Sequence, residues 1–114
     1  MRDQLRQKIR QFLVHSFLYY QLNESIISDA QYDQICEQLL DLLQKCADRD
    51  IPFRDLVEQS LGSEASGFAI KKYPSSIISA AIHLLYHSQP SPLIFEEFLE
   101  RMGYRYQMED FKLT

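Results

Sequence analysis

Ser28-Asp29-Ala30-Gln31 reads as a helix start set between two stretches of helical apolar periodicity, and this arrangement predicts a helical hairpin. Ser28 is a favourable N-cap, and Gln31 three residues later completes a capping box. Upstream, residues 3–21 place Leu5, Ile9, Phe12, Leu13, Phe17 and Tyr20 along one wide helical face. Downstream, a second helix from Asp29 to about Ala47 carries Tyr32, Ile35, Leu39, Leu42, Leu43 and Cys46 on its apolar stripe. Only Leu22–Ile27 separates the two, and helices joined so closely pack antiparallel. The end of the first helix, with Tyr19 and Tyr20, then meets the start of the second, with Asp29 and Tyr32.

Beyond the hairpin the pattern is weaker. Pro52 in a first turn, apolar Phe53, Leu56, Val57 and Leu61, and Gly62 as a stop predict a third, short helix. Residues 62–74 read as a loop, with Phe68 and Ile70 alternating as in a short extended piece. Ser75 or Ser76 is expected to cap a fourth helix with Ile77, Ile78, Ala81, Ile82 and Leu85 on its apolar side, broken at residues 89–92. A last helix is expected from Pro92, capped by Ser91, burying Leu93 or Ile94 with Phe95, Phe98, Leu99 and Met102 and ending at Gly103. The tail from Tyr104 to Met108 alternates as a strand does. The expected fold is all-α, a small bundle of about five helices in one domain spanning 1–114, with the hairpin at 5–47 and additional helices and tail at 48–114.

Composition narrows the function. Hydrophobic residues at 46% and charged residues at 25% are ordinary for a globular chain, and seven Phe and seven Tyr supply core bulk where Trp is missing. A net charge of -4 repels a phosphate backbone on average, and Arg2, Arg6, Lys8 and Arg10 read as the solvated face of the first helix, so no nucleic-acid role is expected. No apolar run approaches the ~20 residues that span a bilayer, and the charged, periodic start is unlike a signal peptide, so the expected location is the cytoplasm, with no membrane role. Cys36 and Cys46, ten positions apart in one expected helix, are separated by about 15 Å and do not bridge each other.

The candidate site is the cluster of Tyr19, Tyr20, Asp29, Tyr32 and Asp33. Asp29, Tyr32 and Asp33 fall at i, i+3 and i+4 on one helix face. The electron-rich faces of tyrosines suit a cationic ring, and the carboxylates accept hydrogen bonds from ribose hydroxyls or an amide. The same residues have a structural reading, since Ser28, Asp29 and Gln31 are favoured at a helix start and Tyr32 falls on the core stripe. Other candidates are poorer. His83 and His87 stand at i, i+4, but Leu84 occupies the place of a zincin's catalytic Glu and no third ligand is identifiable, so no metal is expected. His15 has no Ser or Cys nucleophile at a recognisable spacing, and Lys71 and Lys72 read as solvated loop residues.

A tyrosine pair followed by Ile27-Ser28-Asp29-Ala30-Gln31-Tyr32-Asp33 resembles the small N-terminal helical domain of bacterial NAD-dependent DNA ligases, over about residues 5–45. In place of that family's usual Asp-x-Pro stands Asn23-Glu24-Ser25. The resemblance implies that Tyr19, Tyr20, Asp29, Tyr32 and Asp33 grip the nicotinamide mononucleotide half of NAD. Ligases of this family form a lysyl-adenylate on a Lys-x-Asp-Gly motif, and no lysine here begins one, so no enzyme activity is expected of this chain. The resulting expectation is a non-enzymatic module that binds NAD or nicotinamide mononucleotide as a sensor or accessory protein. The alternative is an interaction or scaffold module that binds a protein partner or itself through exposed apolar groups of its C-terminal half.

Overall fold

A computed structural model describes residues 2–64, 72–88, 95–101, 104–106 and 111–113. The helices are α1 (Arg2–Gln21), α2 (Asp29–Lys45), α3 (Arg54–Glu64), α4 (Ser75–Ser88) and α5 (Phe95–Arg101). Two three-residue strands follow, β1 (Tyr104–Tyr106) and β2 (Phe111–Leu113), paired antiparallel with Arg105 opposite Lys112. The class is all-α, as expected, but among the described residues there are four substantial helices rather than five: α5 has seven residues, barely two turns. Strand character in the tail holds at 104–106, and β2 supplies its partner. The expected extended piece at Phe68 and Ile70, the helix start at Ser91 and Pro92, and the stop at Gly103 lie outside the described residues.

α1 is the central helix. It packs against α2 on one side and α4 on another, and also meets α3. This explains why its buried set is wider than one stripe: Val14, Ser16 and Leu18 are buried along with Leu5, Ile9, Phe12, Leu13 and Phe17. α2 runs antiparallel to it. Lys8 donates to Gln38 at 2.8 Å near one end of the pair, Ser16 meets Tyr32 near the other, and Arg2 pairs with Asp48 just beyond α2. The turn between the helices is closed by Asn23, whose φ of 55° is the left-handed region that Asn tolerates, and by the Glu24 N–H donating to Leu18 O at 2.8 Å. The capping box forms as read, with Gln31 N–H donating to Ser28 Oγ at 3.1 Å and Ser28 N–H to Gln31 Oε1 at 2.8 Å.

Three expectations are corrected by backbone detail. α3 begins at Arg54, not at Pro52, because Phe53 adopts φ 66° and so cannot belong to a right-handed helix; Phe53 is exposed. The same helix continues through Gly62 to Glu64. At α4 the carbonyl of Pro74 accepts from the N–H groups of Ile77 and Ile78, at 3.0 and 3.1 Å, which places Ser75 inside the first turn and leaves Pro74 as the cap.

The segment between α2 and α3 is pinned by one side chain. Arg54, only 5% exposed, donates from Nη1 to Cys46 O at 2.6 Å and Asp48 O at 3.0 Å, from Nη2 to Leu43 O at 3.0 Å, and from Nε to Glu58 at 3.0 Å. It therefore satisfies carbonyls at the C-terminal end of α2, where a helix has no internal donors to offer. The guanidinium fork serves both this end and α3.

Candidate functional site

The hairpin brings three of the five candidate residues into ring contact. Tyr19 and Tyr20, adjacent in the last turns of α1, meet edge to face with centroids 4.7 Å apart. Tyr19 lies nearly parallel to Tyr32, at 13° and 6.4 Å. Tyr32 is backed in turn by Phe12, 6.0 Å away at 23°, and its hydroxyl lies 2.7 Å from the buried Ser16 Oγ. The two helices thus fix Tyr32 from within, while Tyr19 remains 45% exposed and offers its ring to solvent.

Asp29 and Asp33 complete the face. Both are exposed, and among the described residues neither carboxylate enters an ion pair or a side-chain hydrogen bond. The capping box occupies the Gln31 N–H, whereas the N–H groups of Asp29 and Ala30, in the first helical turn, have no intrahelical acceptor. An anion near this end also meets the positive pole of the helix dipole.

Two neighbours were not legible as part of this cluster. Tyr73, just before α4, is buried edge-on against Phe17 at 5.2 Å, and burial together with the nearby Tyr32 and Tyr20 pushes its hydroxyl well above the ordinary tyrosine range, so it stays protonated. Its only sequence signal is the Tyr73-Pro74 step into α4, remote from the hairpin. Cys36, one turn beyond Tyr32, is a buried free thiol; burial raises its pKa, a hydrogen bond with Tyr32 partly offsets this, and Asp33 and Glu37 add to the rise. It is therefore a poor nucleophile at neutral pH.

This donor set fits a nicotinamide nucleotide by its chemistry. Tyr19 provides an open aromatic face for a cationic ring, Tyr20 and Tyr32 support it, and the two carboxylates lie one turn apart beside free backbone N–H groups. Residues 1–49 match the family model described as the DNA ligase-like, N-terminal NAD+-binding domain. The resemblance drawn from the Ile27–Asp33 run is borne out over that segment, and this ligase-like region contains the whole of α1 and α2. Residues 50–114 lie beyond the match. No curated protein and no solved structure matched the chain.

The remaining candidates are scattered. His83 and His87 are exposed on α4, and His83 Nδ1 lies 2.8 Å from Ser79 O, a local contact within the helix. Among the described residues no three His, Cys, Asp or Glu side chains are grouped as metal ligands would be. Lys72 is exposed, and Lys71 lies outside the described residues. His15 is half-buried between α1 and α4, and desolvation lowers its pKa. No helix among the described residues is long and apolar enough to cross a membrane.

Proposed function

We propose that the ligase-like hairpin binds NAD, or nicotinamide mononucleotide alone, without catalysing a reaction of its own. The observation that carries this reading is the stack of Tyr19 against Tyr32, with Tyr19 open to solvent at the helix start that bears Asp29 and Asp33. In this reading the pyridinium ring lies against Tyr19, flanked by Tyr20 and Tyr32. Asp29 and Asp33 accept from the ribose hydroxyls and the carboxamide, and the N–H groups of Asp29 and Ala30 face the phosphate. The hairpin encloses only the mononucleotide half, so its affinity is expected in the micromolar-to-millimolar range, about -4 to -8 kcal/mol. Such reversible, moderate binding suits a sensor or accessory protein.

The test is a titration of isotope-labelled protein with nicotinamide mononucleotide, NAD and AMP, following backbone amide shifts. Saturable shifts around Tyr19–Asp33 from the first two ligands, and none there from AMP, are the expected result. If those amides stay unmoved at millimolar mononucleotide, the hairpin is a scaffold and the reading fails. The alternative, a docking module in the C-terminal half, rests on less: on α4, among the described residues, Leu84 is the one large apolar side chain that is exposed. Single exposed leucines are normal on monomers.

A further inference from the structure

The chain has more acidic than basic residues, 16 against 12, and among the described residues three of its seven arginines are held in ion pairs. Arg2 pairs with Asp48, Arg49 with Asp55 and Glu58, and Arg54 with Glu58. Arg6 and Arg10 differ. They sit one turn apart on the exposed side of α1, and among the described residues neither makes a hydrogen bond or an ion pair. Two guanidinium groups so placed repel each other mildly, so folding alone does not favour their pairing.

Both arginines line a groove of about 420 Å³ whose other walls are Gln7, Ile9, Pro52 and Phe53. This is within the size range of small-molecule sites, about 300–1,000 Å³. Its aromatic wall is held in an unusual way. Phe53 has φ 66°, a left-handed conformation that costs a bulky residue on the order of 1 kcal/mol or more, yet the residue remains 36% exposed. The conformation is imposed from both sides, by Arg54 N–H donating to Ile51 O at 3.2 Å and Val57 N–H to Phe53 O at 3.1 Å, with the Arg54 side chain anchored beneath. Core burial does not explain an aromatic side chain at this position, where Asn or Gly would relieve the backbone.

We propose that this groove binds a nucleotide unit, its base stacked on Phe53 and its phosphate held between Arg6 and Arg10. Planar guanidinium groups match phosphate oxygens, and aromatic rings stack any base. Gln7, between the two arginines, offers an amide to the base edge or the sugar. The groove is distinct from the tyrosine cluster: Arg6 and Tyr19 are 13 residues apart on α1, about 20 Å along its axis. The same chemistry is presented by a free mononucleotide and by one unit of a single strand, and the experiment separates them.

Labelled full-length chain is titrated with AMP, adenosine, inorganic phosphate and a short oligodeoxyadenylate. The expected result is saturable shifts at amides around Arg6–Arg10 and Phe53 from AMP, with adenosine and phosphate each weaker. An oligonucleotide that binds much more tightly than AMP, with strong salt dependence, identifies a strand as the source; comparable affinities identify the free nucleotide. The Arg6→Gln/Arg10→Gln variant, which breaks no bond within the described fold, is expected to abolish the response. Phe53→Asn, which keeps the left-handed turn without the ring, is expected to weaken it about tenfold. The proposal is overturned if AMP and the oligonucleotide leave these amides unmoved, if the double variant responds like the parent, or if phosphate alone binds as well as AMP and Phe53→Asn changes nothing. Shifts around Tyr19–Asp33 report the other site and do not bear on this one.

Discussion

The hydroxyls of Ser16 and Tyr32 lie 2.7 Å apart and tie α1 to α2 directly beneath the aromatic cluster. Ser16 is fully buried, and a hydroxyl in that position needs a partner because water cannot reach it. Tyr32→Phe keeps the ring that faces Tyr19 but strands the serine hydroxyl. The expected outcome is a loss of about 1–2 kcal/mol in urea denaturation, with mononucleotide affinity nearly unchanged. The Ser16→Ala/Tyr32→Phe pair is expected to recover part of that loss, since no buried hydroxyl is then left unbonded.

Asp29 and Ser28 separate ligand contact from helix starting. Ser28→Ala removes the capping box and is expected to cost about 1 kcal/mol of stability. Asp29→Asn keeps the size of the side chain and loses only its charge at the positive end of the helix, a few tenths of a kcal/mol. If the carboxylate holds the ribose, Asp29→Asn lowers mononucleotide affinity about tenfold or more while the denaturation midpoint hardly moves. Should both variants lose affinity only in proportion to stability, Asp29 is a helix starter and nothing else.

Arg54 is predicted to be the most sensitive charged residue. Arg54→Met retains volume and leaves the carbonyls of Leu43, Cys46 and Asp48 without their donor. A loss of about 3 kcal/mol is expected. Arg54→Lys is expected to recover little, because a single ammonium cannot reach both faces of the fork. Chemical denaturation of the two variants measures this, and a Lys variant as stable as the parent would refute the fork argument.

The hairpin was legible because its signals are local and agree with one another. Ser28 and Gln31 form the box that their spacing implies, and Leu5, Ile9, Phe12, Ile35 and Leu39 are buried where the periodicity put them. Tyr19, Tyr20 and Tyr32 converge because an antiparallel pair joined by a short turn has little freedom. What the sequence concealed depends on distant or exceptional contacts. Tyr73 reaches the cluster from the other side of α1, and no local period reports that. Arg54 is buried because three carbonyls surround it, whereas its residue type argues for the surface. Pro52 suggested a helix start by rule, but the left-handed Phe53 delays the helix by two residues. Ser75 or Ser76 looked like the cap because of its hydroxyl, but Pro74 holds the cap position and Ser75 falls inside the first turn.

His15 gives the fold a pH dependence of definite sign. Its ring is half-buried where Val14, Ala80 and Leu84 form an apolar wall between α1 and α4, and Arg10 lies on the same groove. Burial lowers its pKa below the ordinary 6.5. The unfolded chain then takes up a proton, as pH falls through 6.5, that the folded chain refuses, so the contribution of neutral His15 is complete above that value and declines below it. Asp48 and Glu58 act in a lower window. The Asp50 N–H and then Arg2 hold Asp48 down; at Glu58, burial opposes ionisation but hydrogen bonds from Arg49 and Arg54 outweigh it. Their stabilisation is present above their ordinary values of 3.8 and 4.5 and is lost only as pH drops further. Urea unfolding between about pH 7.5 and 5.5 therefore isolates the histidine. The parent protein is expected to lose stability across that range and His15→Gln to stay level. Equal slopes in the two proteins would place the titrating group elsewhere.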